Sequence, residues 1–441
     1  MKKAGIVIFG LIAAALIYFL SLGHDELTIQ AKKQLNQELT ILQHNGFVIE
    51  NRKNSGKKEH FIIRFDDPPK IASYFTAQGT PTTPEEIALL KGMKIGADVF
   101  YMKDIYSALS IDLYPVKLPD GILETAENEE EKALFSQIQK IFDNKKLLIH
   151  IDINKNLSGF QGYVQDIDET MTGKREVRIK IKGLSFTGKM DQERITQLDQ
   201  KLKVLGIMDN NGTEITLQNM VSHHQMTGTT IHDVDALYEV EHIHMRQTDT
   251  FSSEIREVSV KSSQKFINGL LQSHIKTTVK VLEAKAKARV FSLNDLHGDV
   301  SIENIDIDAL DKLQKSDIET ETYKKQLRLL LSKGITLTVN NFSIQKIVEN
   351  GKKLGGVLVN SSFKFDPNID ISQLDKNPLI LLNALDSHTK IVVSNEILSV
   401  IGEDPRAMML MMLIPPKEEN GGKSYTLIMR NGKTTVNGIS F

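Results

Sequence analysis

Five of the chain's 12 histidines fall close together: His223, His224, His232, His242 and His244. His242 and His244 stand two apart, so in a strand both imidazoles share a side, a spacing that zinc and copper sites use. A third ligand has to come from His223, His224, His232, Glu239 or Glu241. The metal set this points to is His242, His244 and His232, serving a metal-dependent hydrolase. No HExxH motif accompanies them and the chain has no cysteine, so polar strand residues on a solvated face are the plainer reading. Asp306, Asp308 and Asp311 open like a calcium loop, but Leu310 and Asp311 occupy the positions where that loop needs an oxygen donor and a glycine. Asp308 reads instead as a helix cap. Gly432, Lys433 and Thr434 match the tail of a phosphate-binding loop, yet Leu427 stands where its first glycine belongs. There is no GxSxG nucleophile elbow. These residues select no catalytic group and imply no cofactor.

One further stretch bears on binding. Met408 through Ile414 is apolar around the whole helical circumference, which a one-sided surface helix does not explain. The pattern points to a fully buried helix. The alternative is an adaptable surface in which Met408, Met409, Met411 and Met412 receive a partner or an acyl chain, since Met packs against varied shapes.

The elements that must position these groups are mixed. Leu27, Ala31, Leu35, Leu39 and Leu42 predict a helix from His24 to Asn45 that stops at Gly46. Phe47–Glu50 and His60–Phe65 flank the turn-forming Asn54, Ser55 and Gly56 as a hairpin. Thr83, Pro84 and Glu86 predict a capping box. The segment 115–131, with Pro, Gly and an acidic run, is the best linker candidate. From Lys146 the chain turns strand-rich, and the pattern apolar–x–apolar–x–(Asn or Gly)–apolar recurs at Ile179–Leu184, Ile215–Met220, Val300–Ile305 and Leu337–Phe342. Each copy puts two apolar side chains on one face, and the Asn or Gly then permits a bulge that resets the facing. Ile195, Leu198, Leu202 and Leu205 predict a helix capped by Asp191, and Ile318–Lys333 another. Tyr425–Arg430 and Lys433–Val436 around Asn431 and Gly432 form the sharpest hairpin signal.

Lys2 and Lys3 precede an apolar run, Ala4–Gly23. A helix of that length rises roughly 30 Å, the thickness of a bilayer core. The run is expected to act as an uncleaved signal-anchor with the N-terminus in the cytoplasm. The body then lies in the periplasm, with residues 4–23 holding it to the inner membrane. The formal net charge of −2, with both signs interspersed, excludes a nucleic-acid footprint, and the absence of cysteine excludes disulfides and thiolate metal sites. The expected fold is α+β: long antiparallel strands with inserted helices behind one transmembrane helix. The expected divisions are 1–23 (anchor), 24–145 (membrane-proximal α+β) and 146–441 (β-rich body), the last in two similar halves, 146–290 and 291–441.

The tract from Leu296 to Leu310, the tract from Leu329 through Asn341 followed by Gly355 and Gly356, and the terminal Asn431–Gly438 resemble the YdgA-like family of bacterial envelope proteins, a domain of unknown function. The resemblance implies an inner-membrane-anchored periplasmic protein and transfers no catalytic residues. The expected function is non-enzymatic binding of an envelope lipid or protein partner, with the histidine-based hydrolase as the alternative.

Overall fold

The computed structural model describes residues 29–77, 82–101, 106–124, 129–172, 176–191, 194–248, 250–314, 320–368, 380–419 and 421–440. It contains 22 described strands, and every described pairing is antiparallel. The α+β expectation is corrected accordingly: the architecture is a large antiparallel sheet of 22 strands, with helices between and after them. The apolar run Ala4–Gly23 lies outside the described residues. Among the described residues no helix is long and apolar enough to cross a membrane. Single-pass anchoring is corrected on that finding, and with it the inner-membrane and periplasmic placement.

The chain divides into two compact units, Met1–Gln225 and Met226–Phe441. In the first, helix α1 (Ile29–His44) ends at Gly46, whose φ of 94° suits only glycine. Strands β1 (Phe47–Asn54), β2 (Lys58–Phe65), β3 (Lys94–Tyr101), β4 (Ser107–Lys117), β5 (Ile149–Asn154) and β6 (Gly159–Val164) pair in sequence. Between them lie helices α2 (Pro68–Ala77), α3 (Pro84–Ala88), α4 (Asp120–Glu124) and α5 (Glu129–Asp143). Thr83 caps α3, and its hydroxyl accepts from Glu86 N while the Glu86 carboxylate accepts from Thr83 N.

Strands β7 (Ile167–Met171), β8 (Val177–Lys182), β9 (Ser185–Asp191), β10 (Arg194–Asp209) and β11 (Thr213–Met226) complete the first unit. The long β10 pairs with β9 along its first half and β8 along its second, on the edge away from β11. This strand replaces the helix expected over Ile195–Leu205. The register slips between Ile195 and Gln197, and Lys203 is skipped opposite Asn219, whose φ is 52°. The slip at Ile195 and the paired irregularity at Lys203 and Asn219 reset the facing, so alternation is converted into three- and four-residue spacings that mimic a helix. Leu198, Leu202 and Leu205 accordingly all pack against the same core.

That core is closed. Phe61, Ala97, Leu113, Ile149 and Val164 are register partners across β2 to β6, and all are buried. Leu35, Leu39 and Leu42 of α1, Ile71 and Phe75 of α2 and Ile87 of α3 belong to the same cluster. Phe61 and Ile111 are 0 % exposed.

The second unit is a meander. Strands β12 (Val234–Gln247), β13 (Phe251–Ile267), β14 (Leu270–Ala286) and β15 (Arg289–Ile305) pair in order with β16 (Thr336–Glu349), β17 (Lys352–Phe365) and β18 (Leu385–Ser394). Helices α6 (Ile307–Gln314) and α7 (Glu321–Leu331) connect β15 to β16, α8 (Ile380–Asn383) precedes β18, and α9 (Asn395–Ile401) and α10 (Pro405–Leu413) follow it. After β19 (Lys417–Glu419), strand β20 (Gly422–Arg430) returns beside β18, with β19 and β21 (Lys433–Val436) on its far edge and β22 (Ile439–Ser440) beyond β21. Asn431 and Gly432 both take positive φ, the primed turn their pairing predicts.

Candidate functional site

Strands β12 to β18 and β20 carry the site, because their registers place like side chains in rows. Directly paired residues in an antiparallel sheet lie on one face. Val240, Val258, Val279, Leu296, Ile344, Val357 and Val393 form one unbroken aliphatic row across seven strands. Two residues further along, Tyr238, Val260, Thr277, Gly298, Phe342, Val359, Ile391 and Tyr425 form a second row. A third row contains Ile275, Val300, Val339 and Leu427, and a fourth contains Val234, Ile302, Leu337, Phe363 and Met429. The remaining members of these two rows are Ala, Ser, Thr and Gln, and the one charged side chain in the four rows is Lys423 at the β20 edge, the register partner of Val393.

A bulge keeps the rows aligned. The register shifts between Val339 and Phe342, which restores the aliphatic facing across β16 after Asn340 and Asn341. Asn340 instead joins the other face, donating its amide to Asp299 Oδ1 at 2.9 Å. Gly356 permits the close approach of β16 and β17, since a Cβ there would meet Ile344 O at 2.4 Å.

The opposite face is polar. His274 Nε2 lies 2.8 Å and Lys276 Nζ 3.4 Å from the Asp299 carboxylate. Asn340, working with His274 and Lys276 against partial burial, holds the Asp299 carboxyl below its ordinary range. Lys261, His297, Lys364, His388 and Lys390 alternate with the apolar rows on their strands.

Among the described residues the apolar face is not sealed as the first unit's core is. None of its large side chains is buried; Tyr238 and Phe342 are 36 % exposed and Ile275 37 %. Eight strands at about 4.8 Å spacing make the face roughly 34 Å long, and six residues of rise from Val234 to Val240 make it roughly 20 Å wide.

The predicted metal set is not assembled. His232 precedes β12 and lies against Phe266, ring centroids 5.5 Å apart. Ten residues of extended strand, roughly 30 Å, separate it from His242. His242 and His244 have ring centroids 6.3 Å apart, and the Glu254 carboxylate is 3.9 Å from each. His223 belongs to the first unit, where it pairs with Asp199. Among the described residues no group of three His, Cys, Asp or Glu side chains is placed to hold a metal. The helix cap expected at Asp308 is supplied by Asp306, whose carboxylate accepts from Ala309 N at 3.0 Å.

The methionines of α10 are not buried, contrary to the expected core helix. Met408 is 51 %, Met409 58 % and Met412 78 % exposed, with Leu413 beside them, while Met411 is half-buried near Gly402.

One constellation went unread in the sequence. Across β2 to β6 the polar face carries a row of His60, Asp98, Asp112, His150 and Tyr163. His150 Nδ1 meets Asp112 at 2.6 Å, its Nε2 meets Asp152 at 3.1 Å, and Ser110 donates to Asp152. Both imidazole nitrogens are thus held by carboxylates and the serine hydroxyl is held by Asp152, so no free base faces Ser110. The set is a closed network that ties strands together. Its only sequence signal is alternation of His, Asp and Ser with aliphatic residues.

No family model, curated protein or solved structure matches this chain.

Proposed function

We propose that the chain is a non-enzymatic binder of long acyl chains, which lie along the aliphatic rows of the second unit. The observation that carries this reading is the partly exposed apolar face of β12 to β18, free of charge in its four rows up to Lys423 on β20. The row from Val240 to Val393 exceeds the ~15 Å depth of one lipid leaflet, half of the ~30 Å bilayer core. Each methylene transferred from water onto such a surface gains about 0.8 kcal/mol at full burial, so a partial cover over many carbons suffices for stable binding.

The lining chemistry favours lipid tails over a protein partner. The face is Val, Ile and Leu with a few aromatics, and it lacks the Trp and Arg anchors that concentrate binding energy in protein interfaces. It also lacks convergent polar groups, which a polar small molecule needs for orientation. Titration of the full chain with a fluorescent long-chain fatty acid tests the reading. Saturable binding that Val279→Asp and Leu296→Asp abolish supports it. An absence of saturable binding by the folded wild-type chain refutes it.

A further inference from the structure

We propose that helix α10 is a port that enters a lipid surface and passes acyl chains to the aliphatic rows. This rests on the acyl-chain reading above, and its position comes from the chain path. The all-aliphatic row ends on Val393, beside Lys423 of β20. The next residue, Ser394, caps α9 by accepting from Ile397 N, and its hydroxyl also donates to Leu354 O in β17. Helix α10 follows after Gly402, where a Cβ would meet the Met411 methyl at 3.2 Å. The exposed methionines therefore stand one short helix beyond the end of the row.

The exposed side of α10 consists of Met408, Met409, Met412 and Leu413, at i, i+1, i+4 and i+5. Those positions share a helical face, and Ile401 at the end of α9 is also 45 % exposed. No charged residue occurs between Arg406 and Lys417. A face of flexible thioethers and leucine suits a fluid hydrocarbon, which offers no fixed shape to complement. Glu403 and Asp404 before the helix and Arg406 at its start leave no net basic cluster, so insertion depends on apolar burial and not on anionic headgroups.

The chain contains no tryptophan, so Met412→Trp introduces a single emitter. With full-length protein and phosphatidylcholine vesicles carrying brominated acyl chains, its emission is expected to shift to the blue and be quenched, unaltered by added salt. The polar-face variant Ser263→Trp is expected to remain unquenched, which separates insertion of α10 from attachment through any other part of the chain. Met412→Asp and Met409→Asp should each reduce transfer of a fluorescent phospholipid between vesicles to the protein-free rate. Both should still bind soluble fluorescent fatty acid as the wild type does, a result that also shows they are folded. Saturable fatty-acid binding without quenching of Met412→Trp overturns the port while leaving the acyl-binding face intact. A blue shift that follows protein concentration without vesicles also overturns it, in favour of self-association. Loss of fatty-acid binding in the wild type defeats the earlier reading instead.

Discussion

The row Phe61, Ala97, Leu113, Ile149 of the first unit and the row Val258, Val279, Leu296, Ile344 of the second are built alike. Each places one apolar residue from successive antiparallel strands side by side. The first is sealed under α1, α2 and α3, while the second is only partly buried among the described residues. The same amphipathic strand pattern therefore serves two ends, depending on whether the chain supplies a lid of its own. Where helices precede and interrupt the strands, the apolar face becomes core. Where 14- to 17-residue strands follow one another as hairpins from β12 to β15, it stays partly exposed among the described residues.

Stability should separate the two rows most sharply. Phe61→Ala removes a side chain from a closed core and is expected to cost about 3–5 kcal/mol in chemical denaturation. Val279→Ala removes two methyl groups from an open face and should cost no more than about 1 kcal/mol. Equal costs would mean that the second row is covered after all.

Binding should show the reverse order. Leu296→Asp places a charge in the middle of the second row, and fatty-acid affinity is expected to fall at least tenfold, about 1.4 kcal/mol. A matched Ser301→Asp on the polar face should leave affinity unchanged.

Acid should act through the first unit. Burial works to raise the Asp98 carboxyl, but hydrogen bonds from His60 and Lys145, with the charges of Lys145 and Lys58, hold it below its ordinary value. A lowered folded value means that the ionised form supports the fold. Its contribution is present above the unfolded value of about 3.9 and is lost as pH falls through the folded one. Thermal melts of Asp98→Asn should therefore lose stability at neutral pH and show a shallower decline than wild type in the acid range. Parallel melting curves would remove Asp98 from the account.

The smallest effect concerns the histidines. With Glu254 at 3.9 Å and His232 remote, added zinc is expected to leave the melting temperature of wild type and His242→Ala the same. A zinc-dependent rise lost in that variant would restore the metal reading.

Much of the strand architecture was legible because its turns carry chemistry. Gly183, Asn219 and Asn304 stand in the Asn-or-Gly position of the repeat, and all three take positive φ. Asn431 and Gly432 make the final hairpin, and Thr83 with Glu86 the capping box. What misled was the reset itself: in β10 one register slip and one paired irregularity turned a strand's alternation into helical spacing. The exposure of Met408, Met409, Met412 and Leu413 was equally out of reach, because hydrophobicity alone does not say whether a helix has anything to pack against. The apolar face was hidden for a related reason. Its rows join residues from strands far apart in sequence, such as Val240 and Val393, and only the register brings them into line. Asp112, His150 and Asp152 were unreadable on the same ground.

The most direct test is photo-crosslinking of a diazirine-bearing long-chain fatty acid to the full chain, with the adducts located by peptide mass spectrometry. The account predicts adducts on Val279, Leu296, Ile344 and their row neighbours, spared on Lys261, Lys276 and the rest of the polar face. Adducts confined to the first unit, or spread equally over both faces of β12 to β20, would contradict it.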